Sequence, residues 1–485
     1  MNTRFPIRAA LPLFMLAGVA AAQTTLGTIT GAATDPTGAA MAKVAIEATH
    51  AATNFVYRTS SNDLGQYTLS SLREGGYTLR ARAAGFKELV VQDVQLAARD
   101  VRRIDLRLEL GAVESAVEVT AGATLIETET ARIGDSRSSQ VLRDLPLASR
   151  GVLDFVAITP SVGRSSTTEA QRRYGGGRSN QSDAQIDGIS IADGRGGNTI
   201  SPLLGYIESY QEARVDVANN SAEFGPIGMV TLVSKAGTNQ LHGSLFDYYS
   251  TPWFRARNPF SPERPAGVLH WPGGSVGGPV VLPRIYDGRN RTFFFFSIET
   301  SRGSAAQNLL NPTVPLASWR AGDFSALAPA TVVRDPSAAN APFAGNRIPT
   351  ARLNPVAVKF QERFYPLPNF GDLSVLRSQN YREVKTRAFD PNNYWTTRVD
   401  HRFSPKASIY GRYTWQRSPN TGYDGNLPAI GQRWNTRDTR GAVVSFTYTV
   451  RPTLLNEIRW GMSFNDNPRN GPLKGKEVVA YLGLQ

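Results

Sequence analysis

The side chains with the most chemistry to offer in this sequence do not fall into a reactive spacing. Four histidines, His50, His242, His270 and His401, are scattered, with no His-x-x-x-His pair and no cysteine to complete a zinc site. Cysteine is absent altogether, which removes thiolate ligands, thiol nucleophiles and disulfides together while neither supporting nor excluding export. The YGGGR stretch from Tyr174 to Arg178 invites comparison with a phosphate-binding loop, but no Lys-Ser/Thr closes it and no strand-loop-helix context precedes it. It also lacks the aromatic stacking platform of an RNA-binding Arg-Gly segment. Its glycines are read as tight turns inside a crowded interior. Asp187-Gly188 is turn chemistry too, with the aspartate expected to satisfy nearby backbone amides. The pattern points to a protein that binds and is not an enzyme, with no cofactor and no metal site.

Those turns have to be held by several different elements. A length of 485 residues suggests roughly two to four domains. Hydrophobic residues make up 41% and the mean hydropathy is -0.28. Beyond the N-terminus no stretch reaches the roughly 18 apolar residues of a spanning helix, which excludes a helical membrane protein and leaves a β-barrel open. The net charge of +13 and pI near 9.9 could suggest nucleic acid. The arginines are instead spread along the chain and interleaved with acids, so no nucleic-acid partner is expected, and a basic surface facing anionic lipid headgroups is the simpler account.

Residues 1–22 place Arg4 and Arg8 ahead of an apolar core and end in three alanines, the pattern of a secretory signal peptide cleaved between Ala22 and Gln23. Residues 23–110 hold short strands separated by regularly spaced turns, at Asp35 to Gly38, Asn62 to Gly65, Glu74 to Gly76 and Ala84-Gly85. Val44 and Ile46, Tyr67 and Leu69, and Tyr77 and Leu79 keep period two, which predicts a small β-sandwich. Residues 111–130 read as a polar linker whose most extended piece is Ala116 to Thr120. Residues 131–235 read as mixed α/β, with a short helix over Arg137 to Leu145 stopped by Pro146 and β-rich stretches at Ala213 to Val217 and Met229 to Val233.

From residue 236 on, strands alternate. Phe294, Phe296 and Ile298 oppose Ser297 and Glu299, and Ile409, Gly411, Tyr413 and Trp415 oppose Ser408, Arg412 and Thr414. Val444, Phe446 and Tyr448 oppose Ser445 and Thr447, while Ile458, Trp460, Met462 and Phe464 oppose Glu457, Arg459 and Ser463. Period two over about ten residues fits a lipid-facing strand with a polar lumen face, and periodicity alone fits a soluble sandwich equally well. Residues 303–391 are rich in Pro, Ala and Asn and weakly periodic, and read as one long loop available for ligand contact.

Several runs decide between barrel and sandwich. Glu208, Gln211-Glu212, the AEFG of Ala222 to Gly225 and the KAGTNQLHGS of Lys235 to Ser244 resemble the end of the plug and first barrel strand of TonB-dependent outer-membrane receptors, Oar-like branch. RTFFFF from Arg291, RVDHR from Arg398 to Arg402 and NEIRWG from Asn456 to Gly461 are similar to barrel strands of that branch. Asp187-Gly188 matches its plug turn. Two departures are Met229 and Ser161, each at a position where the family has glycine; Met229 is expected to alter a turn. The segment from Gly31 to Phe86, carried by Asp35, Gly38, Asp63, Gly65, Tyr67, Gly75, Tyr77 and Gly85, resembles a carboxypeptidase regulatory-like domain of carbohydrate-binding-like fold. Those are turn and core positions, so the likeness specifies a fold and no ligand.

The resemblance implies a mainly β chain: a regulatory-like β-sandwich, an α/β plug over 131–235, and over 236–485 the first part of a transmembrane antiparallel β-barrel. It implies a periplasmic TonB-type energy-coupling protein as partner, outer-membrane lipid around the wall, and an extracellular ligand, glycan or peptide. The coupling segment would be Val117, Glu118, Val119 and Thr120, pairing by β-augmentation, and a plain linker strand is an equally open reading of it. The function implied is energy-coupled uptake; the alternative is a surface binding or adhesion protein without transport. About seven wall strands follow Gln240, whereas a barrel that encloses a plug has about 22, so a C-terminally truncated receptor is expected.

Overall fold

A computed structural model describes residues 25–111, 116–120, 129–145, 151–163, 172–178, 181–192, 200–204, 206–221, 224–257, 264, 267–376, 378–423, 426–451 and 454–484. The signal-peptide reading, with Ala22 and Gln23, lies outside these residues, as do Ala222 and Glu223.

The first β-rich region forms two packed sheets. Strands β1 (Gly27–Thr34), β4 (Gln66–Leu72), β7 (Val101–Arg103) and β8 (Leu106–Arg107) make one. The other runs in the order β3 (Val56–Ser60), β2 (Ala45–His50), β5 (Gly75–Arg82), β6 (Glu88–Leu96), β9 (Ala116–Thr120). The period-two residues face each other across the sandwich: Ile29, Ile46, Leu72, Leu79 and Leu106 are buried in one cluster. The Ala116–Thr120 segment is a strand, lying parallel on β6 with Val117 opposite Leu89 and Val119 opposite Val91. It ends the sheet.

An inner domain follows. Its sheet orders β10 (Ile133–Ser138), β13 (Tyr210–Ala218), β14 (Gly228–Ser234), β11 (Ser182–Ile186) and β12 (Ile189–Ser190). The expected helix occupies Ser139–Asp144, because Arg137 and Ser138 are spent on β10, where they pair with Ala213 and Glu212. Met229 does not sit in a turn: it is fully buried within β14, where Gly228 before it makes room for the Tyr174 ring. Ser161 does take the left-handed backbone of a glycine, at φ 64°.

Seven long strands then form an antiparallel meander: β15 (His242–Ser250), β16 (Leu269–Pro279), β17 (Thr292–Thr300), β18 (Asn393–Ser404), β19 (Ala407–Tyr423), β20 (Gln432–Arg451) and β21 (Leu454–Asp466). Alternation sorts their two faces. Ser297, Glu299, Arg412, Thr414, Thr439 and Ser445 turn toward the inner domain and are buried, while Ile298, Val444, Ile458, Trp460 and Phe464 face outward and are exposed. The fit is close enough that a Cβ on Gly461 of β21 would lie 2.5 Å from the Ile189 side chain. The expected long loop differs from its reading: residues 303–391 carry a hairpin-like pair of Ala306–Leu310 with Glu383–Arg387 and a helix, Pro355–Phe364, capped by the Asn354 side chain. Short elements broken by proline and glycine blurred the period there.

The sandwich sits at one mouth of this wall. Asn239 N–H donates to the Ala52 carbonyl at 3.0 Å, Asn54 Nδ2 to Asn290 Oδ1 at 3.0 Å, and Arg402 Nη2 to the Val56 carbonyl at 2.7 Å. At that end 280–291 joins β16 to β17 and Pro405-Lys406 joins β18 to β19. The connections 251–268, 301–392 and 424–431 lie at the other, and they include the two longest.

Candidate functional site: the junction of sandwich, inner domain and wall

Asp187 and Gly188 both adopt positive φ, 51° and 78°, which turns β11 tightly into β12 and carries the Asp187 carboxylate to the wall. The expected backbone contact is present: Oδ1 accepts from Ser234 N–H at 2.9 Å. Three further groups meet this carboxylate. Oδ2 accepts from the Ser234 hydroxyl at 2.8 Å and from Arg412 Nε at 2.6 Å, and Arg398 Nη1 stands 3.8 Å from Oδ1. Turn chemistry made the amide contact foreseeable; the arginines were visible only as polar positions on the inner face of alternating strands.

Arg398 ties the three bodies together. Its Nε and Nη2 grip both oxygens of Asp400 at 2.9 Å, its Nη1 donates to the Ser234 carbonyl and hydroxyl at 2.9 Å, and its guanidinium lies over the Tyr410 ring at 4.4 Å. Asp400 also pairs with Arg73 of the sandwich at 2.7 Å. Asp187, Arg398, Asp400 and Arg412 are all buried. Burial opposes charge on Asp187, and Arg412 followed by Arg398 overcomes it, so that the carboxyl stays below its ordinary value. Beside this network a cavity of about 60 Å³ is lined by Tyr57, Glu74, Arg402, Tyr410 and Glu457 among others. Burial pushes Glu74 up to about 7, against the pull of Arg398.

A second junction lies where the β6–β7 loop meets β13. Arg99 Nη1 pairs with Asp216 Oδ2 at 2.7 Å, and its guanidinium stacks 3.6 Å from the Phe224 ring centre. Ala98 N–H donates to Glu212 Oε2 at 2.9 Å, and Arg214 Nη1 donates to Asp100 Oδ1 at 2.8 Å and to the Ala98 carbonyl at 3.2 Å. Arg214 Nε also holds Asp216 Oδ1 at 2.9 Å. Every one of these side chains is buried. A third contact joins inner domain and wall: Glu208 Oε1 accepts from Lys235 Nζ at 2.9 Å and from the Ser244 and Ser275 hydroxyls at 3.1 and 2.9 Å.

The histidines stay apart. His50 is buried in the sandwich, where Nε2 lies 3.2 Å from the Glu74 carbonyl and Nδ1 2.9 Å from the Thr53 hydroxyl; burial lowers it to about 4, so it is neutral, donating through Nε2. His242 closes its turn through Nδ1, which donates to the Gln240 carbonyl at 2.9 Å, His270 meets Asp247 at 2.9 Å, and His401 meets Thr292 at 2.7 Å. Among the described residues no group of three His, Asp or Glu could hold a metal ion. Val117, Glu118, Val119 and Thr120 are not part of the junction, but β6, on which they lie, runs directly into Ala97 to Asp100.

Comparison with known proteins adds to this geometry. Residues 233–485 match the outer membrane beta barrel domain family, and residues 28–109 match the carboxypeptidase regulatory-like domain. A stretch of 189 residues is 24% identical to the TonB-dependent transporter Oar of Myxococcus xanthus, covering 38% of this chain and 18% of that protein. The outer membrane transporter YddB of Escherichia coli aligns over 68% of this chain and 38% of its own, at 9% identity and a TM-score of 0.41. The ferric enterobactin receptor of Pseudomonas aeruginosa aligns over 70% of this chain and 42% of its own, at 13% identity and a TM-score of 0.33. The chain thus spans less than half the length of each of these relatives.

Proposed function

The chain belongs to the outer membrane beta barrel domain family, and from that premise we propose that it is a TonB-dependent receptor that binds an extracellular ligand and mediates its energy-coupled uptake. It resides in the outer membrane. The two longest connections, 251–268 and 301–392, lie away from the sandwich, which fits an extracellular end there and a periplasmic end on the sandwich side. The inner domain acts as the plug. Asp187, gripped by Arg412 and Arg398, latches it to the wall, and disrupting one buried pair of this kind costs about 3–5 kcal/mol, well beyond thermal energy. Opening therefore requires work from outside the molecule.

The observation that carries this reading is an unbroken path for such work. The β9 strand is hydrogen-bonded along β6, β6 continues into Ala97 to Asp100, and that loop is fastened to plug strand β13 through Arg99–Asp216 and Arg214–Asp100. A coupling protein that adds its own strand to β9 would load the plug through the sandwich. The regulatory-like domain would then be an adaptor, and no sugar need bind it. A binding or adhesion protein gains nothing from such a path.

The test is titration of the periplasmic domain of a TonB-type coupling protein into the detergent-solubilised chain. Saturable binding is expected, weakened about tenfold or more by Val119→Pro, which removes a strand N–H. Binding of V119P at wild-type strength would sink the coupling role of Val117 to Thr120.

A further inference from the structure

The mouth opposite the sandwich holds a polar pocket of about 310 Å³ between the ends of β19, β20 and the Asn465–Arg469 turn region. Strand parity fixes where it faces. Thr439 and Gly441 of β20 turn inward, Gly441 against Leu203 of the inner domain, so Arg433, Asn435 and Arg437 point into the same lumen. Asn420 of β19 pairs with Asn435, and Arg469 also pairs with Asn435, bringing both to that face. The pocket therefore opens to the lumen beyond the inner domain, on the side of the long connections.

Its lining is strongly one-sided. Three arginines, Arg433, Arg437 and Arg469, enter it, and none of the described residues that line it carries a carboxylate. Guanidinium groups only donate, so this lining is richer in donors than in acceptors. Asn435 Nδ2 donates to Asn467 Oδ1 at 2.7 Å, which uses the Asn467 carbonyl and leaves that residue as a further donor. Arg437 Nε is buried without a hydrogen-bond partner. The Arg437 residue as a whole is half-buried at the pocket wall.

Resting on the uptake reading above, we propose that this pocket is the ligand site and that it takes a small, acceptor-rich anion of the acidic-sugar class. A carboxylate matches the guanidinium forks, and ring hydroxyls match the carboxamides. Peptide backbone fits less well, because its N–H groups would meet donors. The volume lies at the small end of ligand pockets, about 300 Å³ upward, and suits one or two sugar rings.

The experiment is isothermal titration of the solubilised full chain with a digalacturonate, with neutral maltose and with inorganic phosphate. Digalacturonate is expected to bind, with an affinity that falls as salt rises and drops about tenfold or more in Arg437→Gln and in Arg469→Gln, both retaining the wild-type melting temperature. Maltose binding as tightly would overturn the anionic class, and phosphate binding as tightly would reduce the pocket to an adventitious anion site. Unchanged affinity in both variants would overturn the location. The coupling-domain titration on the same preparation separates the two readings. Coupling without digalacturonate binding sinks the ligand inference alone, whereas digalacturonate binding without coupling supports the pocket and sinks uptake.

Discussion

The two mouths of the wall use arginine in opposite ways. At the sandwich end Arg73, Arg398 and Arg412 meet Asp400 and Asp187, every member is buried, and the carboxylates are saturated with donors from the chain itself. At the far end Arg437 and Arg469 stand among asparagines with no carboxylate among the described residues that line the pocket. The difference teaches that the function of an arginine is set by where its acceptor comes from. An acceptor within the chain makes the guanidinium a fastener, and the cost of breaking the pair is then a property of the fold. An acceptor that must arrive from solution makes it a receptor.

The sharpest way to break that contrast is to remove one acid from the closed network. Asp187→Ala would leave Arg412 and Arg398 buried beside a lost counter-charge, and is expected to lower stability by about 3–5 kcal/mol in urea unfolding followed by tryptophan fluorescence. Arg437→Gln at the open mouth should shift the same curve by less than about 0.5 kcal/mol. Equal shifts would mean that both mouths are structural. Arg99→Ala comes next. Asp216 would keep Arg214 at 2.9 Å, so about 1–3 kcal/mol is expected, read as faster amide exchange in Ala97 to Asp100 and in β13. Unchanged exchange there would show that the Arg99 pair does not fasten sandwich to plug.

The sandwich and the wall were legible in the sequence because each rests on local rules. Tyr67, Leu69, Tyr77 and Leu79 alternate, and their turns carry glycine at left-handed positions such as Gly65 and Gly85. The seven wall strands follow from alternation after Gln240. The junction was legible only in part. Asp187-Gly188 announced a turn, but Arg398 and Arg412 lie 211 and 225 positions beyond Asp187, and nothing in strand periodicity says which inward arginine meets which inward acid. Met229 misled for a related reason: expecting it to alter a neighbouring turn ignored that β14 is buried on both faces, where an apolar side chain fits. The parallel seat of β9 on β6 was also hidden, since Ala116 to Thr120 and Glu88 to Leu96 carry no pattern that pairs them across the intervening residues.

A smaller effect concerns pH at the closed mouth. Glu74 has its proton held more tightly in the folded chain, up to about 7 against an ordinary 4.5, through burial. The folded state binds more protons across that interval, so the junction loses stability as pH climbs from about 4.5 through about 7. Glu74→Gln should leave the melting temperature at pH 4 unchanged and raise it at pH 8, flattening the profile between. A variant as pH-dependent as the wild type would place the titration elsewhere. Arg73, Arg398 and Arg402 also face this cavity and stay charged across the interval, whereas Asp187, held by Arg412 and Arg398, is shifted the opposite way.

The smallest expected effect is the most informative about the load path. Val90 and Glu118 are partners in the β6–β9 register, and neighbouring strands about 4.8 Å apart fall inside the roughly 4.4–6.8 Å Cα window of a disulfide. In a chain without cysteine, Val90→Cys with Glu118→Cys gives a single staple that locks β9 onto the sandwich. If the coupling strand adds to the outer edge of β9, the oxidised protein should bind the coupling domain within about threefold of the reduced one. If the partner must take the place of β6, oxidation should weaken binding about tenfold or more and reduction should restore it. In that case force would reach the chain through a peeled β9, bypassing Arg99 and Asp216, and the closed mouth would be a fastening that coupling never loads.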